Sequence, residues 1–148
     1  MGKNITMGKY QLFDGAGNVI QSIDYGDPIV DIALEKSKKN AQIDLWRVAA
    51  NSSTFTHAGK IFSCSDLSKW DINLVAGSIA LTSDFPADFP MQWKATDKTY
   101  LQLANVDAFK AFYASMVAQG TANFIRSEQL KAELTVASTP NEIDAITW

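Results

Sequence analysis

The sequence predicts an α+β fold in which short β-hairpins are combined with about three main helices. Three observations carry that expectation. Three segments pair aromatic and β-branched runs around a tight-turn cluster, the signature of hairpins. Three longer segments repeat apolar residues every three or four positions, the spacing of helices with one buried face. At 148 residues, with 47% hydrophobic and 20% charged residues, the chain also has enough apolar material for a real core.

The first hairpin is expected at 10–25, where Asp14-Gly15-Ala16-Gly17-Asn18 supplies the turn. Gly26-Asp27-Pro28 closes it and opens a helix over about 28–50, with Asp27 as N-cap and Pro28 at the first helical position. Ile29, Ile32, Ala33, Lys36, Ile43, Trp46 and Ala50 carry that helix's periodicity. Residues 55–64, FTHAGKIFSC, form a second hairpin turning at His57-Ala58-Gly59-Lys60. A helix capped by Ser65 or Asp66 follows, with Leu67, Trp70, Ile72, Leu74, Val75, Ile79 and Leu81 as its expected buried face. The prolines of DFPADFP, 84–90, hold the residues before them extended and mark a subdomain joint. A third hairpin turns at Thr96-Asp97-Lys98.

The longest helix starts after the cap Asn105 and reaches about Ala137. Its stripe runs through Val106, Phe109, Phe112, Tyr113, Met116, Val117, Gly120, Phe124, Leu130 and Leu134. Gly120 marks a close-packing point or a bend. Thr139, with Glu142 three residues on, caps a short last helix. The organisation expected is an N-terminal hairpin segment, 1–27, followed by a mixed body, 28–148, with the joint at 84–90.

Composition narrows the function. A formal charge of −3, with KSKK at 36–39 as the basic cluster, argues against a nucleic-acid surface; helical spacing makes that cluster a solvated face. No stretch approaches the roughly 18–20 apolar residues of a membrane span, so no span is expected. One cysteine, Cys64, allows neither an internal disulfide nor a cysteine metal site, and fits a reducing cytoplasm.

Catalytic patterns are thin. A nucleophilic site would need His57, the single histidine, with Cys64 seven residues away. No orienting third group is visible, so His57 reads as an exposed turn residue and Cys64 as a small buried one. The glycines of 14–18 lack the Lys-Ser/Thr of a phosphate loop. The aspartates of DYGDPIVD, 24–31, lack the terminal Glu of a calcium loop and read as caps and turn residues. No cofactor, metal or enzymatic activity is expected. Four Trp, eight Phe and four Tyr are more than one small core hides, and peripheral aromatics point to a binding or assembly role.

The words Ile43-Asp-Leu-Trp-Arg47, FTHAGKIFSC, Ala76-Gly77, Gln92-Trp-Lys-Ala-Thr-Asp97, Leu130 through Thr139 and Ile143-Asp-Ala-Ile146 occur in one order. From about residue 30 onward they resemble a bacteriophage domain family of unassigned function that is associated with tail fibre assembly proteins and other tail proteins. Residues 10–25 resemble the opening strands of such proteins. Trp70 departs from the family, where a small or basic residue is usual.

The resemblance implies a chaperone that binds a trimeric tail fibre protein and helps fold or cap its distal part. It would work in the host cytoplasm during assembly, or stay on the virion tail. Exposed strand edges on an unclosed fibre tip aggregate unless covered, and Tyr10, Leu12, Val19 and Tyr25 are the candidate partner-binding residues. The alternatives are a structural tail or baseplate component, and a module binding a host surface glycan through Trp and Tyr platforms.

Overall fold

In a computed structural model, described for residues 3–6, 9–24 and 30–148, the chain is α+β, with antiparallel hairpins and three main helices. Side chains are described over 11–23 and 30–148; Tyr25, Asp27, Pro28 and Ile29, and the side chain of Tyr10, lie outside the described residues.

The N-terminal hairpin has a third strand that the sequence pattern did not predict. Strands β1 (Lys3–Thr6), β2 (Lys9–Phe13) and β3 (Val19–Asp24) form one antiparallel sheet in that order. A lone hairpin is marginal in water, and a third strand satisfies the second edge of β2. The turn is held by Asp14, whose carboxylate accepts from the Ala16 and Asn18 amides at 2.8 and 2.9 Å. Those bonds, led by the one from the Asn18 side chain, keep the Asp14 carboxyl below the usual carboxylate range. The loop's donors thus serve an internal carboxylate rather than a phosphate.

Helix α1 (Ile32–Asn51) begins four residues later than expected. Its cap is Asp31, which accepts from the Leu34 amide at 3.1 Å. Strands β4 (Thr54–His57) and β5 (Lys60–Ser63) follow as the second hairpin. Ala58 and Gly59 both take positive φ, 48° and 73°, the geometry that matches a two-residue turn to strand twist. Ser65 caps α2 (Asp66–Thr82), and β6 (Gln92–Lys94) pairs with β7 (Tyr100–Gln102) as the third hairpin. Hairpins two and three are latched together, since the Thr96 amide donates to the Ile61 carbonyl at 2.9 Å.

Asn105 caps α3 (Val106–Val136), accepting from the Ala108 amide at 2.9 Å. Thirty-one residues make it about 46 Å long. A complete capping box of Thr139 and Glu142 then starts α4 (Pro140–Ala145).

Two hydrophobic clusters share α3. Around its N-terminal half gather Phe55, Phe62, Cys64, Ile72, Val75, Ile79, Ala95, Leu103, Phe109 and Phe112. Phe112 is fully buried, with the rings of Phe55 at 5.1 Å and Phe62 at 4.9 Å. Around the C-terminal half, Ile43 from α1 meets Leu130, Leu134, Ala137, Ile143 and Ile146. The 84–90 connector, expected as a joint, packs against the first cluster: Phe85 and Phe89 stack at 4.7 Å, and both meet Phe109 edge-on.

The buried stripe of α3 changes composition along its length. Val117 and Phe124, expected inside, are about half exposed, while Asn123 and Ser127 are buried. Asn123 donates to Asn51 Oδ1 at 2.9 Å and accepts from Gln119 at 3.2 Å, so the end of α1 is pinned to α3 by amides. A cavity of about 200 Å³ opens beside them, with Gly120 at its edge. A Cβ on Gly120 would meet nothing within 4 Å, so this glycine is not a close-packing point.

Candidate functional site

A groove of about 660 Å³ opens between α2 and the second and third hairpins. Trp93 and Phe89 form its aromatic lining, their rings 6.3 Å apart, and Trp93 rests on Phe112 at 5.6 Å. Half-exposed Tyr100 closes one side. From α2 come Ser68, Asp71, Leu74 and Val75, which places a carboxylate and a hydroxyl over the aromatic surface. Gln92 accepts from the Gln102 side chain at 3.1 Å, which fixes its oxygen and leaves its amide hydrogens to donate. Asp88 and Met91, on either side of Phe89-Pro90, take φ of 61° and 55°. Such backbone costs a non-glycine residue about 1–2 kcal/mol, and here the Leu103 amide holds it by donating to the Met91 carbonyl at 2.8 Å. The groove is preshaped rather than slack.

The groove's far rim is wired through the third turn. Lys60 Nζ donates to Thr99 Oγ1 at 2.6 Å, and that hydroxyl donates to Asp97 at 2.7 Å. The Thr99 hydroxyl and amide, with Lys60 nearby, hold the Asp97 carboxyl below its ordinary range.

The reactive candidates from sequence are kept apart. His57 ends β4 and pairs with Lys60, whereas Cys64 follows Ser63 at the other end of the hairpin. Cys64 lies four residue steps along the strand from the Lys60 that pairs with His57, about 13 Å. His57 is not the exposed turn residue expected; it is half-buried, edge-on to Phe112, with Nδ1 2.8 Å from Ser115 Oγ. Cys64 is buried, and that burial pushes its thiol up. Among the described residues no group of three His, Cys, Asp or Glu could hold a metal ion, and no helix is long and apolar enough to cross a membrane.

The basic cluster, expected as a solvated face, is exposed or half-exposed and also makes contacts across the fold. Lys36 donates to the Thr135 carbonyl at 2.8 Å, in the last turn of α3, where a helix end favours a cation. Lys39 reaches the Ile146 carbonyl at 3.4 Å and lies over the Trp46 ring, and Lys38 pairs with Glu35. Two of the three lysines therefore bind α1 to the C-terminal elements.

Of the four candidate contact residues, two can be placed with their side chains. Leu12 pairs with Gln21 and Tyr10 with Ile23, whereas Val19 pairs with Phe13 across a bulge at Ile20. Residues directly opposite share a face, so Leu12 and Val19 stand on opposite faces of the sheet. No side chain of 11–23 is buried, and neither hydrophobic cluster contains one.

A family model described as a domain of unknown function, DUF4376, matches residues 35–147. The chain belongs to that family. The DUF4376 region takes in α1 from its second turn, both hydrophobic clusters and the aromatic groove, and leaves the N-terminal sheet outside the match. No curated protein and no solved structure matches the chain.

Proposed function

We propose that this chain is a phage tail fibre assembly chaperone, which binds the distal part of a trimeric fibre protein and helps it fold or caps it. It acts by binding, in the host cytoplasm during assembly, and the same contact would let it stay on the virion tail. The observation that carries the reading is the N-terminal sheet. Leu12, Phe13, Val19, Ile20 and Ile23 give it apolar side chains on both faces, and none of them is buried. A three-stranded sheet in that state gains stability from a covering surface, and an unclosed fibre tip with open strand edges offers one. The family match covers residues 35–147 and does not include the sheet.

The test is co-expression with the fibre protein of the same phage. Full-length chain should yield soluble fibre trimers, and a variant lacking residues 1–27 should stay folded but lose that rescue. Rescue by the truncated chain would refute the assignment of the grip to the sheet. Recovery of the chain from purified virions would distinguish a retained component from one that leaves.

The groove favours a second reading, a module that binds a host surface glycan. Trp93 and Tyr100 offer apolar ring surface, while Asp71, Gln92 and Ser68 offer hydrogen-bonding groups to hydroxyls above it. Binding to a glycan array that is lost on Trp93→Ala and Tyr100→Ala, with fibre rescue intact, would select this reading over the first.

A further inference from the structure

Helix α2 is apolar on two sides. Ile72, Val75 and Ile79 face the core, but Leu67, Trp70, Leu74 and Leu81 are 72%, 64%, 57% and 89% exposed. Their spacing, with exposed Gly77 between the last two, is 3-4-3-4, the repeat that lines up as a seam on a helix and pairs with another helix. The seam lies opposite the buried face. A helix hydrophobic on both sides belongs in an environment that covers both, and the described residues cover one.

Gly77 sharpens the point. It sits in the helix interior, where glycine is unfavourable relative to alanine, and a Cβ there would meet nothing within 4 Å. Among the described residues nothing requires a glycine at this position. A bulky side chain arriving from outside would. Trp70, on the same seam, is such a side chain.

We propose that α2 is a self-association surface, on which a second copy of this chain packs its own α2 antiparallel about a two-fold axis near Leu74. In that register Leu67 of one copy faces Leu81 of the other. Trp70 comes level with Gly77 of the other copy to within about one residue rise, 1.5 Å, so the largest seam residue meets the smallest. Charge selects the direction. A parallel pairing would set Asp66, at the position before Leu67, against Asp71 of the other helix on both sides of the seam. The antiparallel pairing places Asp71 beside Ser78 and Asp66 near Ala80, with no like charges opposed. The four seam side chains present on the order of 500 Å², so pairing withdraws at most about 1,000 Å² from water, the size at which a weak, reversible interface begins. The outer face of α1, with exposed Leu34, Leu45 and Val48, is the weaker candidate because Lys38 interrupts its seam.

The experiment is the mass of the full chain by sedimentation or light scattering over a concentration series, with no fibre present. The expected result is a doubling of mass for the wild type and for Leu45→Lys, and a monomer with unchanged helical circular dichroism for Leu74→Lys. Trp70→Ala, a milder change, should weaken the dimer while leaving the fold intact. Orientation is read in a Cys64→Ser background: a mixture of Leu67→Cys and Leu81→Cys chains should crosslink, and Leu67→Cys alone should not. A wild type that is monomeric throughout overturns the proposal, including the case in which Leu74→Lys abolishes fibre rescue and so assigns the seam to the fibre. A dimer broken by Leu45→Lys but not Leu74→Lys, or Leu67→Cys crosslinking to itself, overturns it as well. Because this test uses the chain alone, it can fail while the chaperone reading stands, and the reverse.

Discussion

Replacing Gly120 by Ala adds one methyl group to the middle of α3, at the edge of the 200 Å³ cavity beside Asn51, Met116 and Asn123. The new Cβ meets no heavy atom within 4 Å, so no steric penalty offsets the change. Alanine is favoured over glycine in a helix interior by about 1 kcal/mol, chiefly through the entropy of the unfolded chain. Position 120 is half-buried, so part of the methyl's transfer free energy, at most about 0.8 kcal/mol, adds to it. The expected gain is about 1–1.5 kcal/mol, or roughly 2–5 °C in Tm for a chain of this size. Thermal and urea unfolding followed by circular dichroism measure it, and the urea midpoint should rise at constant slope. A lower Tm would refute the reasoning, because it would mean that α3 bends at Gly120 or that the cavity is filled in solution.

Phe112→Ala removes a ring with no exposed surface, touched by Phe55, Phe62 and Trp93, and should cost about 3–5 kcal/mol in denaturant unfolding. Glu142 accepts from the Ser138 amide at 2.6 Å, the Ser138 hydroxyl at 3.0 Å and the Thr139 amide at 3.1 Å, and these bonds, Ser138 first, depress its pKa. A depressed carboxylate contributes stability that is present above its unfolded pKa, about 4.3, and is lost as pH falls through the folded value. Tm should therefore decline more steeply below that pH in the wild type than in Glu142→Gln, and equal slopes would count against the capping box.

Local chemistry was the readable part of the sequence. Ala58-Gly59 at a two-residue turn, Ser65, Asn105 and Thr139 as caps, and the hairpins at 55–64 and 91–103 depend on neighbours in the chain, and the structure has them where the residue types put them. The start of α1 was misread: Asp27-Pro28 carries an N-cap followed by a first-turn proline, but the helix starts at Ile32 with Asp31 as its cap. Periodicity also could not say which side of α2 is inside. Seven apolar residues were assigned to one face, and three of them, Ile72, Val75 and Ile79, are buried.

In α3 the apolar pattern hid a change of contact. Asn123 and Ser127 are buried because Asn51 and the Phe124 carbonyl satisfy them, which no hydrophobic repeat signals. The groove was illegible for a related reason. Asp71, Phe89, Trp93 and Tyr100 come from three separate elements and the loop between two of them, so their meeting is a property of the packing. The surplus of aromatic residues was the one trace of it in the composition.

A single helix that belongs to two cores has a consequence for how the molecule opens. Each cluster grips one half of α3, and between them, around Gly120, the helix is held by the amides of Gln119, Asn123 and Asn51 rather than by packed rings or aliphatic side chains. Melting of the C-terminal cluster would release α1, α4 and the last turns of α3 while the aromatic half stays closed around Phe112. Amide hydrogens should then exchange in two tiers along one continuous helix, slower before Met116 than beyond Asn123. The groove end of the protein would keep its shape while the opposite end breathes.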